Sequence, residues 1–389
     1  MEPKLSFHNG TFKIMQVADT QELSFVSRDT VLLLTMAALL EKPDLVIFTG
    51  DQIHGMDPTY RLGSVRDNVA RTVGKLTKPF VKADIPFAVT FGNHDCQVGL
   101  SNAEQAEIYA GIPGYIAGQR RSDDDPGTFV LPVYGEDGKV ACKLFVFDSG
   151  AQEADGAYVP VPKARLDYFR ETCEGDMPVC VFQHIPVPEF YDVLEKVPKK
   201  APGAVEAFRT HAGEYYVLPQ SVKDAGGFMG ESPAVPDVNG GEFEALKQNG
   251  NVLFLAVGHD HNNSFVAEKD GIKLIYTQGA GFHVYGPGTD RGVRIFELNE
   301  NDPAAFTTRT VTFESAAGGQ LSNPALDLVL THIPTSVEQV KKIPVVGPAF
   351  VDAVNAIGDK LGGKQSVEAP DRASPEDDAQ SDFSYETIE

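Results

Sequence analysis

Two short runs of the chain carry donor atoms suited to a cation. One is Phe-Gly-Asn-His-Asp at residues 91–95, and the other is Val-Ala-Asp-Thr-Gln, ending at Gln21. Three more runs have the same make-up: Gly50-Asp51, Gln183-His184, and Gly258-His259-Asp260-His261. Carboxylate, amide oxygen and imidazole are ligands that hard and borderline divalent ions take. Each run alone is weak, because Gly-Asp and Asn-His-Asp recur by chance and a lone histidine is usually a satisfied polar group. Five of them in one chain, each closing an apolar segment, form a set that loop polarity does not explain.

Two divalent ions a few ångströms apart can hold both the attacking and the leaving oxygen of a phosphoryl transfer. They also lower the pKa of a shared water enough to give hydroxide near neutral pH. Such a pair needs one carboxylate between the ions. Asp51 is the natural bridge, because Gly50 before it permits a sharp turn.

The elements that must position these groups alternate. KIMQVAD reads as a buried strand ending at Asp19, SRDTVLLLTMAALLEK as a helix capped by Ser27, and DLVIFTGD as a second strand ending at Asp51. A helix follows from about Leu62 to Lys82, and PFAVTFGNHD is a third strand. This rhythm predicts a sheet with helices outside it, and in such sheets ligands gather beyond the carboxyl ends of the strands. Later, KLFVFDSG, MPVCVFQHIP and NVLFLAVGHDH are strands, PKARLDYFRETC is a helix, and the pattern from Gly271 is strand throughout. Residues from about Pro188 to Gly241 read as a long, partly irregular insertion, a natural place for substrate contacts.

Composition narrows the partners. The 389 residues carry a formal net charge of -22 and 42% hydrophobic residues, so the chain has a core but repels nucleic acid. An anionic substrate then needs local positive charge, which bound cations supply. The cysteines Cys96, Cys142, Cys173 and Cys180 form no CxxC pair, and Cys142 and Cys180 sit in strand-like apolar runs as small core residues. No window holds the roughly 18 apolar residues of an integral membrane segment. The N-terminus has no signal-peptide pattern, so a cytoplasmic location is expected.

The order D-x-Q, GD, GNHD, H, GHDH resembles the calcineurin-like metallophosphoesterase superfamily. KIMQVAD, FTGDQI, QHIPVPEF, GHDHNNSF and RGVRIFEL resemble one branch of it, the purple-acid-phosphatase-29 and Dcr2-like phosphatases of bacterial type, over about residues 11–300. The resemblance implies an α/β fold, a four-layer α/β/β/α sandwich of two mixed sheets flanked by helices. It implies a phosphoesterase acting on mono- or diesters of a small phosphorylated substrate with a metal-activated hydroxide. Asp19, Gln21, Asp51 and His261 would surround one metal ion, and Asp51, Asn93, His184 and His259 the other. His94 would assist the leaving group, with Asp95 bracing its ring, while Asp260 points away. The alternative is a pseudo-phosphatase that binds metal or phosphate without turnover.

Two departures bear on this. Gln21 stands where many members have His, and its amide oxygen makes that position harder, favouring Mn or Mg over Fe or Zn. His54 stands where true purple acid phosphatases carry a metal-binding Tyr, so no Fe(III)–tyrosinate centre is expected and His54 becomes a pocket or substrate residue. Arg291, after the Gly-rich run GFHVYGPGTDRG, is a second substrate candidate; His283, Tyr285 and Glu189 are weaker pocket candidates. A metallo-β-lactamase-like reading fails, since Asn262, Asn263 and Ser264 follow His261 where HxHxDH is needed. The expected domains are a phosphoesterase domain over 1–318 and a helical appendage over 319–364. An acidic disordered tail would follow over 365–389, with eight acidic residues and one Arg.

Overall fold

The computed structural model describes residues 3–332 apart from Ala154. In chain order the strands are β1 (Thr11–Val17), β2 (Leu45–Thr49), β3 (Phe87–Thr90), β4 (Gln119–Ser122), β5 (Asp125–Tyr134), β6 (Val140–Val146), β7 (Val179–Phe182), β8 (Glu195–Lys196), β9 (Val205–Glu206), β10 (Tyr215–Val217), β11 (Phe228–Met229), β12 (Val252–Val257), β13 (Asn263–Lys269), β14 (Ile272–Tyr276), β15 (Gly292–Asn299) and β16 (Thr307–Thr312). The helices are α1 (Arg28–Glu41), α2 (Val65–Lys82), α3 (Asn102–Ala110), α4 (Lys163–Cys173), α5 (Gln220–Asp224), α6 (Glu242–Asn249), α7 (Phe313–Ala317) and α8 (Pro324–His332).

Two mixed sheets form the centre, ordered β16-β15-β1-β2-β3 and β11-β13-β14-β12-β7-β6-β5-β4. Period-two alternation in the sequence sorts their side chains into layers. In β1, Phe12 and Ile14 face the inter-sheet core, while Met15 and Val17 face α1 and α2; in β2, Leu45 and Ile47 oppose Val46 and Phe48 in the same way. In the second sheet Cys180, Phe182, Phe254 and Ala256 face inward, while Val179, Val181, Leu255 and Val257 pack on α4 and α6. The four-layer sandwich follows directly. Cys142 and Cys180 lie fully buried between the sheets, as their apolar surroundings predict.

Chain direction sets where the chemistry falls. β1, β2 and β3 run parallel, so their carboxyl ends share one edge; β7 and β12 run parallel in the other sheet. Asp19, Asp51 and Asn93 therefore leave one sheet, and His184, His259 and His261 leave the other. A buried polar seam ties the two sheets just below that edge. The Gln16 amide donates to Thr49 Oγ1 and to the carbonyl of Val257, and Thr277 Oγ1 donates to Gln16 Oε1.

The insertion over 188–241 is more ordered than its composition suggests. It holds a small sheet, β8-β10-β9, over a local core of Tyr191, Ala207, Tyr216 and Val235. Strands of two or three residues leave no periodicity to read. Of the expected appendage, residues 319–332 are described and contain α8; the remainder and the acidic tail lie outside the described residues.

Candidate metal centre

The strand ends bring these side chains together. Asp51, His184 and His259 each place one donor atom within 4.8 Å of the others. Asp51 Oδ2 lies 3.2 Å from His184 Nε2 and 2.8 Å from the Gln21 amide nitrogen. His184 Nε2 also lies 3.2 Å from Asn93 Oδ1 and 3.1 Å from His259 Nδ1. Asp19 Oδ1 faces His261 Nε2 at 3.4 Å and lies 3.9 Å from His184 Nδ1. All seven candidate ligands are at most 8% exposed.

The backbone is bent hard to achieve this. Asp19, Gln21, Asp51 and His259 have φ of 54°, 33°, 53° and 78°, a left-handed region that non-glycine residues avoid at about 1–3 kcal/mol each. Among the described residues, four of the nine non-glycine positions with positive φ fall in this one cluster. Gly92 and Gly258 allow the close approach, since a Cβ would fall 2.2 Å from Asp51 Oδ1 and 2.6 Å from Asp19 Oδ2 respectively.

The donor set fits divalent ions. His184 Nδ1 donates to the Thr49 carbonyl at 3.0 Å and His261 Nδ1 to the Tyr285 carbonyl at 2.9 Å. Both Nε2 atoms are then left as lone pairs aimed at carboxylate or amide oxygens, an arrangement that only a cation or a proton reconciles. Asp19 Oδ1 is buried without any hydrogen-bond partner. Burial disfavours charge on both His184 and Asp51, yet Asp51 and Asp19 outweigh it and push the His184 imidazole up to about 10. In return the His184 and His94 imidazoles hold the Asp51 carboxyl below the usual carboxylate range. The pocket thus demands positive charge, and a divalent ion would take the place of the proton.

His94 is accessible, with 23% of its side chain exposed, and its Nε2 lies 4.0 Å from Asp51 Oδ2. The expected brace for its ring is corrected by the structure. Asp95 does not contact the ring; Gln97 Oε1 meets His94 Nδ1 at 2.7 Å. Asp95 instead accepts from four backbone N–H groups, those of Asp51, Gln52, Ile53 and Gly92, at 2.8–3.2 Å. It fixes the two turns that carry Asp51 and Asn93. Asp95→Ala strands all four donors and should cost roughly 4 kcal/mol or more. Urea unfolding of wild type and variant measures it, and a loss under about 1 kcal/mol contradicts this role.

His54 lies beside His94, rings stacked at 5.6 Å and 14°. Its Nδ1 is buried without a partner, and burial with the neighbouring His94 pulls its pKa down. Arg291 is not brought to this cluster. Its guanidinium is buried, pairs with Asp327 at 2.6 Å and donates to the carbonyls of Val284 and Gly288, so the substrate role expected of it is withdrawn. His283 bonds to Glu22 at 2.7 Å. Asp260 points away, as expected, to the Tyr276 hydroxyl and the Ala234 N–H. Nothing local in the sequence marks Gln97, Tyr158 or Glu231. Tyr158 sets its ring at 90° to His259, centroids 4.6 Å apart.

The sequence pattern of the family described as calcineurin-like phosphoesterase matches residues 12–263, and the chain belongs to that family. Among curated relatives, probable inactive purple acid phosphatase 14 of Arabidopsis thaliana is 27% identical over 335 residues, 74% of this chain and 75% of that protein. Probable inactive purple acid phosphatase 29 of the same plant is 26% identical over 347 residues, 77% and 79% of the two chains. Phosphatase DCR2 of Saccharomyces cerevisiae is 26% identical over 330 residues, 75% of this chain and 52% of that protein. Among solved structures, a dimetal phosphatase from Danio rerio is 14% identical with a TM-score of 0.49, covering 78% of this chain and 99% of that one. Among the described residues no helix is long and apolar enough to cross a membrane.

Proposed function

We propose that the protein is a dinuclear metal-dependent phosphoesterase acting on phosphate mono- or diesters of a small substrate. The observation that carries this is the place of Asp51. One oxygen of its carboxylate, Oδ2, meets both the Gln21 amide and the His184 imidazole of one buried cluster, so a single carboxylate oxygen is within reach of both candidate ligand sets. Asp19, Gln21, Asp51 and His261 would hold one ion, and Asp51, Asn93, His184 and His259 the other. When bound, the ions supply Lewis acidity, a water of lowered pKa and neutralisation of phosphoryl charge.

The chain's own residues do the rest. Thr49 and Tyr285 hold two imidazoles in the ligating tautomer through their carbonyls. His94, oriented by Gln97, is placed to protonate the departing oxygen. His54 and Tyr158 form walls beside it. With a formal net charge of -22 over the whole chain, a centre loaded with cations is where an anionic ester would find compensation.

Gln21 sets the metal. Its amide meets Asp51, and turning it by half a rotation presents Oε1, a hard donor that favours Mn or Mg. A second reading, binding without turnover, draws on the word inactive in the names of two relatives. One activity matrix separates the two: Mn, Mg, Fe, Co and Zn against aryl monoesters, diesters and pyrophosphates. The expected result is turnover that is highest with Mn or Mg. Activity with Zn or Fe and none with Mn refutes the role given to Gln21. Two bound ions with no turnover on any ester favours the binding reading.

A further inference from the structure

Glu231 belongs to no motif, and it lies on the insertion, 30 residues before His261 in the chain. β11, two residues before it, pairs antiparallel with β13, so Met229 sits opposite Asn263. That pairing lays Glu231 alongside the turn that carries His259 and His261. The side-chain oxygen of Asn263 accepts from the N–H groups of Gly230 and Glu231 at 3.2 and 3.3 Å, and Gly230 N–H donates to the Asn262 carbonyl at 2.8 Å. The Glu231 carboxylate then reaches in two directions. One oxygen accepts from the Asn262 N–H at 2.8 Å, and the other accepts from the Tyr285 hydroxyl at 3.1 Å.

Tyr285 is the second half of this contact. Its ring lies flat on His261, centroids 4.2 Å apart and planes 5° from parallel. Its carbonyl accepts from His261 Nδ1 at 2.9 Å. The imidazole is therefore fixed in tilt by the ring and in tautomer by the carbonyl, while Glu231 fixes Tyr285 and the backbone just after His261. Partners of this kind orient a ligating histidine and raise its basicity, and their loss typically costs about 10–100-fold in metal affinity.

We infer that Glu231, acting through Tyr285, is a positioning residue that sets the affinity of the Asp19–His261 half of the centre for its ion. The inference rests on the metal-centre reading proposed above. It makes the insertion part of that centre, which it orients from the far side.

Mn titrations of the full chain, followed by electron paramagnetic resonance, test it with E231Q, Y285F and H261A. Wild type should bind two ions. E231Q should weaken one of them about 10–100-fold and leave the other unchanged. Y285F, which keeps the ring and the carbonyl, should act in the same direction by less. H261A should weaken the same ion as E231Q. Melting temperatures in EDTA should match wild type for E231Q and Y285F. Unchanged affinity for both ions overturns the inference. So does equal weakening of both together with a lower melting temperature in EDTA, which is what a merely structural residue would give. If wild type binds a single ion, the dinuclear reading falls, and the inference stands only if E231Q weakens that ion. If wild type binds none, both fall.

Discussion

Asp51→Asn should abolish metal-dependent hydrolysis. The amide keeps the size and the hydrogen-bonding outline of the carboxylate, so the variant should fold. The N–H of His94 still finds an oxygen where it now meets Asp51 Oδ1 at 2.8 Å. What is lost is the charge that two ions would share. Bridging ions contribute several kcal/mol of transition-state stabilisation, and about 4 kcal/mol corresponds to ~10³ in rate. Steady-state turnover of p-nitrophenyl phosphate and bis(p-nitrophenyl) phosphate at saturating Mn measures the loss. Rates within about twofold of wild type would sink the proposed function.

Removing the His94 side chain should have an effect that depends on the leaving group. A general acid is worth about 10²–10⁴ when the departing oxygen is a strong base, and little when it leaves readily as an anion. His94→Ala should therefore reduce turnover of an alkyl phosphate by that factor and of p-nitrophenyl phosphate by less than about tenfold. The backbone N–H of residue 94 still holds Asp51 in this variant, and the imidazole gives up its contact to Gln97, its stack on His54 and its 4.0 Å approach to Asp51 Oδ2. Equal losses on both esters would assign His94 to phosphate binding and remove it as the acid.

The candidate ligands were legible because each closes an apolar run, and such runs are a local property of sequence. Asp19, Asp51, Asn93, His184, His259 and His261 needed only apolar runs with polar ends. Asp95 was misread for the opposite reason. Its partners are the amides of Gly92 and of the turn at Asp51–Ile53, and no local rule says that a carboxylate beside a histidine prefers amides more than 40 residues away. Arg291 was misread because Asp327, its counter-ion, lies on a helix outside the repeating pattern. Glu231 was invisible because the strand that places it has only two residues. Tyr285 was legible as a pocket residue, but its flat stack on His261 required the loop after β14 to be folded.

The candidate ligands come from two separate sheets, which at that edge are joined by hydrogen bonds such as Gln16 to Val257, His184 to Thr49 and the His259 N–H to Asp19. Ions seated there would act as rivets between the layers. At a free ion concentration a hundredfold above the dissociation constant, each adds about 2.7 kcal/mol to the folded state. That is a large share of the 5–15 kcal/mol that holds most domains together. The protein's lifetime in a cell would then follow metal supply: starvation would leave the sheets more often parted, and proteases would clear the chain. Abundance itself would report on the cell's store of divalent ions, before any substrate is turned over.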